Sequence, residues 1–142
     1  MSNDKLFAEL GDSLKEDIGM YSSLSLAYIG DAVFEMCVRS KIIAQGNEPV
    51  NKLHKKSRAY VNAQSQSKMY YKLLEFLSDE ELSIIKRGRN AKSFTKAKNA
   101  SISDYRHATG VEALFGFLFM AGRTERITEL FEICVDNKME EV

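Results

Sequence analysis

The stretch LSLAYIGDAVFEMCV, residues 24–38, decides the fold of this chain. Apolar side chains recur along it at helical spacing and cover most of the circumference, which is typical of a buried helix. A second stretch, ATGVEALFGFLFMAG at residues 108–122, has the same character. The chain has one proline, and no segment alternates convincingly with a period of two. The pattern therefore predicts an all-α fold built around two buried helices.

Cap and stop signals place these helices. The first is expected from about Ser23 to Ala44, with Ser23 or Ser25 as its N-cap. The second is expected from about Ser103 or Asp104 to Ala121, where Gly122 stops it. Shorter amphipathic helices are predicted at residues 50–60, at 62–77 with Asn62 as cap, at 79–89 behind a Ser78–Glu81 capping box, and at 124–137. Residues 87–102 are predicted to form a polar, basic loop.

Each of the two apolar helices carries an acid, Asp31 in the first and Glu112 in the second. An unpaired carboxylate on such a face costs several kcal/mol, so something must compensate for it. If packing brings the two acids together, one becomes protonated or both bind a cation. Hard oxygen ligands suit Mg²⁺, which keeps several waters and takes phosphate oxygens as further ligands. The alternative is structural: either acid turns to the surface, or pairs with Arg39 or Arg106.

Charge is unevenly spread although the net charge is zero. Residues 52–98 hold 12 basic and 4 acidic side chains, and both flanking regions are acidic. Such asymmetry indicates a polyanionic partner, whereas any single lysine is more often a solvated surface residue. Few aromatics are interleaved with the bases, which favours backbone recognition of a duplex over stacking on single strands. The candidate nucleic-acid contacts are Lys55, Lys56, Arg58, Arg87, Arg89, Lys92, Lys96, Lys98 and Arg106.

Length and composition fit one domain. With 142 residues and 44% hydrophobic content, the chain can bury a sizeable core. No run reaches the roughly 18 apolar residues of a membrane span, and the charged start is unlike a secretory signal. Cys37 and Cys134 lie among apolar residues and are expected to be free thiols in a reducing cytoplasm. We expect an N-terminal extension at residues 1–20 with a short helix, a domain at 21–137 and a disordered tail at 138–142.

Two of these motifs resemble those of a known family. LAYIGDAVFE resembles the ribonuclease III signature, a glycine-aspartate pair in an apolar helix, and ATGVEALFG resembles that family's second acidic motif. The short length, GRNAK and YRHATGVEALFGFLFMAGR resemble the compact subfamily, Mini-ribonuclease III, which lacks a separate double-stranded-RNA-binding domain. The resemblance covers about residues 24–132. Larger members carry an acid where this chain has Ala27 and another where it has Thr109, and the compact subfamily shares these losses.

The resemblance implies an all-helical ribonuclease III-like endonuclease that works as a homodimer and cleaves double-stranded RNA with Mg²⁺, for which Mn²⁺ could substitute. Asp31 falls on the signature aspartate and Glu112 on the second-motif glutamate, so both are predicted to be catalytic and to bind the metal. The implied substrate is precursor large-subunit (23S) ribosomal RNA in the bacterial cytoplasm, where a ribosomal protein could assist. Two other functions stay open: a non-catalytic RNA-binding or ribosome-assembly factor, and a helical interaction module whose acids form only salt bridges.

Overall fold

The structure is a computed structural model that describes residues 9–10, 17–92 and 101–140, with side chains up to residue 136. After a 3-10 helix at Ile18–Met20, these ranges hold α1 (Ser23–Ala44), α2 (Val50–Arg58), α3 (Ala63–Leu73), α4 (Asp79–Asn90), α5 (Ile102–Met120) and α6 (Thr124–Glu140). No strand occurs in the described ranges, so the predicted all-α class is confirmed. No described helix is long and apolar enough to cross a membrane.

Most helix ends lie where the local signals put them. The Asn62 side chain accepts a hydrogen bond from the Ser65 backbone N–H at 2.8 Å and caps α3. Ser78 and Glu81 form the predicted capping box at the start of α4. Gly122 has a φ of +72° just beyond α5, a conformation that favours glycine. The N-cap of α1 is a correction: it is Ser22, whose hydroxyl accepts from the Ser25 N–H.

Helix α5 is the centre of the fold. It packs against α1 on one side and against α3 and α4 on others. Residues 107–118 are buried almost without interruption, and Glu112 is the one member only partly buried. Phe34 of α1 packs edge-on against Phe115 of α5 and Phe131 of α6, with ring centroids 5.4 and 5.8 Å apart. The apolar run therefore forms a core rather than a ligand pocket.

Glycines let α5 approach its neighbours closely. A Cβ added at Gly30 of α1 would lie 1.6 Å from the carbonyl oxygen of Glu112. A Cβ added at Gly116 of α5 would lie 1.9 Å from the carbonyl oxygen of Leu26. No real Cβ approaches backbone atoms this closely, so both positions require glycine. The two glycines therefore allow the close crossing of α1 and α5.

Three sequence predictions differ from the structure. Helix α1 is not buried all round: one stripe faces the core, while Tyr28, Met36 and Ile43 are exposed. The predicted helix at 79–89 and the predicted loop at 87–102 overlap, and the structure places Arg87 and Arg89 in α4, because Gly88 packs against α5 instead of ending the helix. Residues 138–140, predicted to be part of a disordered tail, continue α6.

Other predictions fall partly outside the described residues. Of the predicted N-terminal helix at residues 6–14, Glu9 and Leu10 are described, and they are helical. Residues 93–100, which make up most of the basic segment after α4, also lie outside the described residues.

Both cysteines are free thiols, with Cys134 buried and Cys37 half-buried. Burial raises the pKa of Cys37 to about 11, so this thiol is not reactive at neutral pH.

Candidate active site

The two acids singled out in the sequence meet where α1 crosses α5. Gly30, next to Asp31, touches the backbone of Glu112 itself, so the crossing brings the two acid-bearing turns into direct contact. The Glu112 carboxyl is close enough to hydrogen-bond with the Asp31 carboxyl. Asp31 is exposed and Glu112 is only partly buried, so the pair opens toward solvent. A substrate in solution can therefore reach both groups.

The electrostatics of the pair favour a proton or a cation. Burial, the hydrogen bond with Asp31 and the negative charge of Asp31 together raise the pKa of Glu112 to about 9. At neutral pH the metal-free protein therefore holds a proton on Glu112. A bound cation would replace that proton and remove the repulsion between the two acids.

Of the structural alternatives, the surface position holds for Asp31, but neither Arg39 nor Arg106 pairs with the two acids among the described residues. Arg39 pairs with Glu35 at 2.7 Å, one turn further along α1, and not with Asp31. Arg106 is exposed and forms no ion pair with a described residue. No group of three or more metal-ligating side chains occurs in the described part of the chain, so the pair offers two protein ligands. Two carboxylates fit Mg²⁺, which commonly keeps waters and takes substrate phosphate oxygens.

The basic residues of α2 differ in their freedom to bind a partner. Lys55 and Arg58 are exposed on this short helix and have no ionic partner in the described ranges. Lys56 is half-buried and forms a salt bridge with Glu48. Its charge is thus already matched inside the protein. Two of the three predicted contacts on this helix remain available to a polyanion.

The basic residues after the capping box divide in a similar way. Arg87 and Lys92 are exposed near the end of α4. Arg89 is half-buried, and its Nη1 donates a hydrogen bond of 3.0 Å to the hydroxyl of Tyr70. Lys96 and Lys98 lie outside the described residues. The structure therefore places Arg87 and Arg89 in different environments, although the sequence analysis predicts the same role for both.

A polar network between α3 and α5 was not predicted from the sequence. The His107 ring is hydrogen-bonded through Nδ1 to Ser67 Oγ at 2.9 Å and through Nε2 to the Tyr71 hydroxyl at 3.3 Å. The Tyr70 ring lies against it, with centroids 4.5 Å apart. Burial, and then the nearby charge of Arg89, lower the pKa of His107, which favours the neutral imidazole. A histidine in an apolar helix and a Tyr-Tyr pair were the available signals, but nothing in the sequence joined them.

Comparisons with known proteins agree with the motifs. The Ribonuclease III domain model matches residues 24–123. Mini-ribonuclease 3 of Brevibacillus brevis is 46% identical over 121 residues, which cover 85% of this chain and 90% of the relative. Mini-ribonuclease 3 of Staphylococcus aureus is 45% identical over 115 residues, covering 80% and 86%. A crystal structure of a Fusobacterium nucleatum protein matches with a TM-score of 0.77 at 32% identity, over 87% of this chain and 99% of that one.

Proposed function

Because this chain belongs to the ribonuclease III family, we propose that it is a divalent-metal-dependent endonuclease that cuts double-stranded RNA. The observation that carries the proposal is the contact between the two family acids, Asp31 and Glu112, at the α1–α5 crossing. Backbone contact at Gly30 holds these acids together, and both are open to solvent on one side. A rigid, accessible pair of hard oxygen ligands is what Mg²⁺ bound beside a phosphodiester requires.

The chemical roles follow from the two environments. Asp31, the exposed member of the pair, would offer its carboxylate to the metal, and Glu112 would give up its proton to become the second ligand. When bound, Mg²⁺ lowers the pKa of a coordinated water and neutralises charge that develops on the phosphate. The protein's own contribution is to hold two oxygens at a fixed separation. With two protein ligands, one ion is held comfortably, and a second would need oxygens from the RNA.

RNA is bound, in this proposal, by exposed cations that follow the phosphate backbone. Lys55 and Arg58 on α2, Arg87 and Lys92 at the end of α4, and Arg106 on α5 are exposed and lack carboxylate partners among the described residues. Lys96 and Lys98 extend the same basic segment in the sequence. Contacts of this kind recognise the shape of duplex RNA more than its sequence.

We further propose that the enzyme is a homodimer. Helix α1 exposes Leu24, Tyr28, Met36 and Ile43, and Tyr28 is 85% exposed. A groove of about 550 Å³ between α1 and α6 adds Ile29 and Val33 to this apolar surface. Exposed apolar surface on a core helix is typical of an interface. A two-fold dimer would present two sites and two basic surfaces to one duplex, and avidity would strengthen RNA binding.

The proposed natural substrate is precursor 23S ribosomal RNA, in keeping with the compact subfamily to which the relatives belong. This substrate implies a cytoplasmic location, since ribosomal RNA matures there. A ribosomal protein that stabilises the precursor's fold would then increase the cleavage rate. Cleavage of the naked precursor at one position, accelerated by bound ribosomal protein, is the expected outcome of an in vitro assay.

The test of the enzyme function uses purified protein and end-labelled duplex RNA, with Mg²⁺, with Mn²⁺ and with EDTA. We expect cutting with either metal, none with EDTA, and 5′-phosphate ends. Asp31→Asn and Glu112→Gln should each lose about a hundredfold to a thousandfold in rate while still binding the duplex. The matched control is Glu80→Gln, which removes an exposed acid that pairs with Arg123. If the wild-type protein binds the duplex without cutting it, the protein is a non-catalytic factor. If it neither binds nor cuts, it is an interaction module.

A further inference from the structure

We propose that Arg89 is a prepositioned ligand for a phosphate group of the duplex RNA backbone, and that Tyr70 and His107 are the positioning residues that hold its guanidinium. The inference rests on the proposed function and deepens it. It separates Arg89 from the exposed cations around it, which reach phosphates only through flexible side chains. It also gives a role to the α3–α5 polar network.

Arg89 is a partly buried charge that has no carboxylate partner within the described part of the chain. Of the seven arginines in the chain, all of them described, only Arg89 and Arg126 are not exposed. Arg126 pairs with Glu81 at 2.8 Å and with Glu129 at 2.7 Å. Arg89 forms no salt bridge with any described residue, and the segment at residues 93–100 contains no acid. Taking a cation partly out of water without a counter-charge is unfavourable, which points to an anion supplied from outside.

The guanidinium is held in one orientation. Its Nη1 donates to the Tyr70 hydroxyl at 3.0 Å, and its Nε donates to the Asn90 side-chain oxygen at 3.1 Å. The guanidinium carbon also lies 5.9 Å from the centre of the Tyr70 ring. A guanidinium has five N–H donors, so about three remain for a ligand. A phosphate accepts two parallel hydrogen bonds from such a fork, a geometry in which lysine is a weaker substitute.

The hydroxyl that orients Arg89 is itself fixed by packing. Tyr70 is 1% exposed, and its ring contacts both His107 and Tyr71, with centroid distances of 4.5 and 5.4 Å. Both nitrogens of His107 are hydrogen-bonded, to Ser67 and to Tyr71, so the imidazole has one orientation. Because these side chains are already ordered in the free protein, binding of a phosphate to Arg89 loses less conformational entropy.

The backbone of Arg89 lies against α5, the helix that carries the candidate metal ligand Glu112. A Cβ added at Gly110 would lie 3.3 Å from the backbone nitrogen of Arg89, so α4 and α5 touch there. Gly110 precedes Glu112 by two residues, which is about 3 Å along a helix axis and about 200° around it, so the backbone of Arg89 and the acid pair lie on different sides of α5. A phosphate bound to Arg89 would therefore have a fixed position relative to the acid pair. The role expected of Arg89 is to set the register of the duplex as well as to add affinity.

The test measures duplex-RNA binding by fluorescence anisotropy in EDTA, at several salt concentrations, together with cleavage kinetics in Mg²⁺. Arg89→Ala should weaken binding by tenfold or more and reduce the slope of log affinity against log salt by about one. Arg89→Lys should restore the slope but not the affinity. Arg123→Ala, which removes an exposed arginine paired with Glu80, is the matched control and should change neither.

The positioning role has its own readout. Tyr70→Phe keeps the ring and the charge of Arg89, so it should raise KM several-fold with unchanged kcat and an unchanged salt slope. His107→Gln should behave in the same way. The proposal is overturned if Arg89→Ala binds with wild-type affinity and slope, or if Tyr70→Phe and His107→Gln leave KM unchanged in folded protein. If the wild-type protein binds but does not cut, the proposed catalysis fails, and the binding result for Arg89 is still obtained.

Discussion

Replacing Gly116 by alanine should damage both stability and activity, although it adds one methyl group. The new Cβ would lie 1.9 Å from the Leu26 carbonyl oxygen, 2.8 Å from its carbon and 3.1 Å from the Gly30 nitrogen. A carbon and a carbonyl oxygen come no closer than about 3.3 Å, so α1 and α5 must separate by about 1.4 Å. Neither obstacle is a flexible side chain that could turn away.

The expected loss in the free energy of unfolding follows from two opposing terms. Overpacking costs about 1–3 kcal/mol, and backbone obstacles put this site at the upper end. Alanine regains about 1 kcal/mol of helix propensity. The net loss is about 2 kcal/mol, a sizeable part of the 5–15 kcal/mol typical of a domain. Urea unfolding followed by circular dichroism measures it, and Gly19→Ala, with open space around the added methyl, should change little.

Activity should fall further than stability explains. The same separation moves Glu112 away from Asp31, and a misplacement of about 1 Å in a catalytic group can cost about a hundredfold in rate. The assay is single-turnover cleavage of duplex RNA at a temperature where the Gly116→Ala protein is fully folded. If this variant unfolds at the wild-type urea concentration and cuts at the wild-type rate, the backbone contact does not hold the site together.

Three further predictions concern charge and assembly. Glu112→Gln should flatten the pH dependence of the free energy of unfolding, measured in EDTA. Because the pKa of Glu112 is raised, its contribution to wild-type stability is complete below pH 4.5 and is lost as pH rises towards about 9. Urea unfolding at pH 5, 7 and 9 would contradict this if wild type and variant lost stability equally with rising pH. Arg126→Met should cost about 3–5 kcal/mol at pH 7 because it leaves Glu81 buried without its partner. The hydrogen bond with Arg126 is the main reason that the pKa of Glu81 is lowered, so the stability that this pair adds is present above pH 4.5 and is lost as pH falls below it. Thermal melts would refute this if the variant were destabilised as much at pH 4 as at pH 7. Met36→Glu, on the exposed face of α1, should give a folded monomer by light scattering, and an unchanged mass would exclude that face from the dimer.

The parts of the fold that local chemistry controls were predictable. The cap at Asn62, the capping box at Ser78 and the stop at Gly122 depend on hydrogen bonds or backbone angles within a few residues. The meeting of Asp31 with Glu112 joins two distant segments, and it was expected from the acid that each apolar helix carries and from the resemblance of both motifs to one family. Short-range rules therefore predicted the helical framework, and the resemblance linked the two acids.

Long-range packing decided the remainder. The predicted loop at 87–102 includes Gly88, yet a Cβ there would lie 2.9 Å from Gly110 Cα, so Gly88 continues α4 and brings that helix onto α5. The contact between Ser67 and His107 joins residues 40 positions apart. Neither residue carries a local signal for the other. The distinction between Arg87 and Arg89 follows from these packing contacts, so a single sequence could not provide it.

The last helix has a consequence for how much chain must fold as a unit. The family match ends at Arg123, yet Leu130, Phe131 and Val135 of α6 belong to the core. Arg126 of the same helix also binds the Phe76 carbonyl oxygen and neutralises Glu81. A fragment cut at the boundary of the match would expose an apolar seam and leave a buried acid uncompensated. Autonomous folding therefore needs a longer polypeptide than the one that defines family membership, and a minimal recombinant fragment should extend through α6.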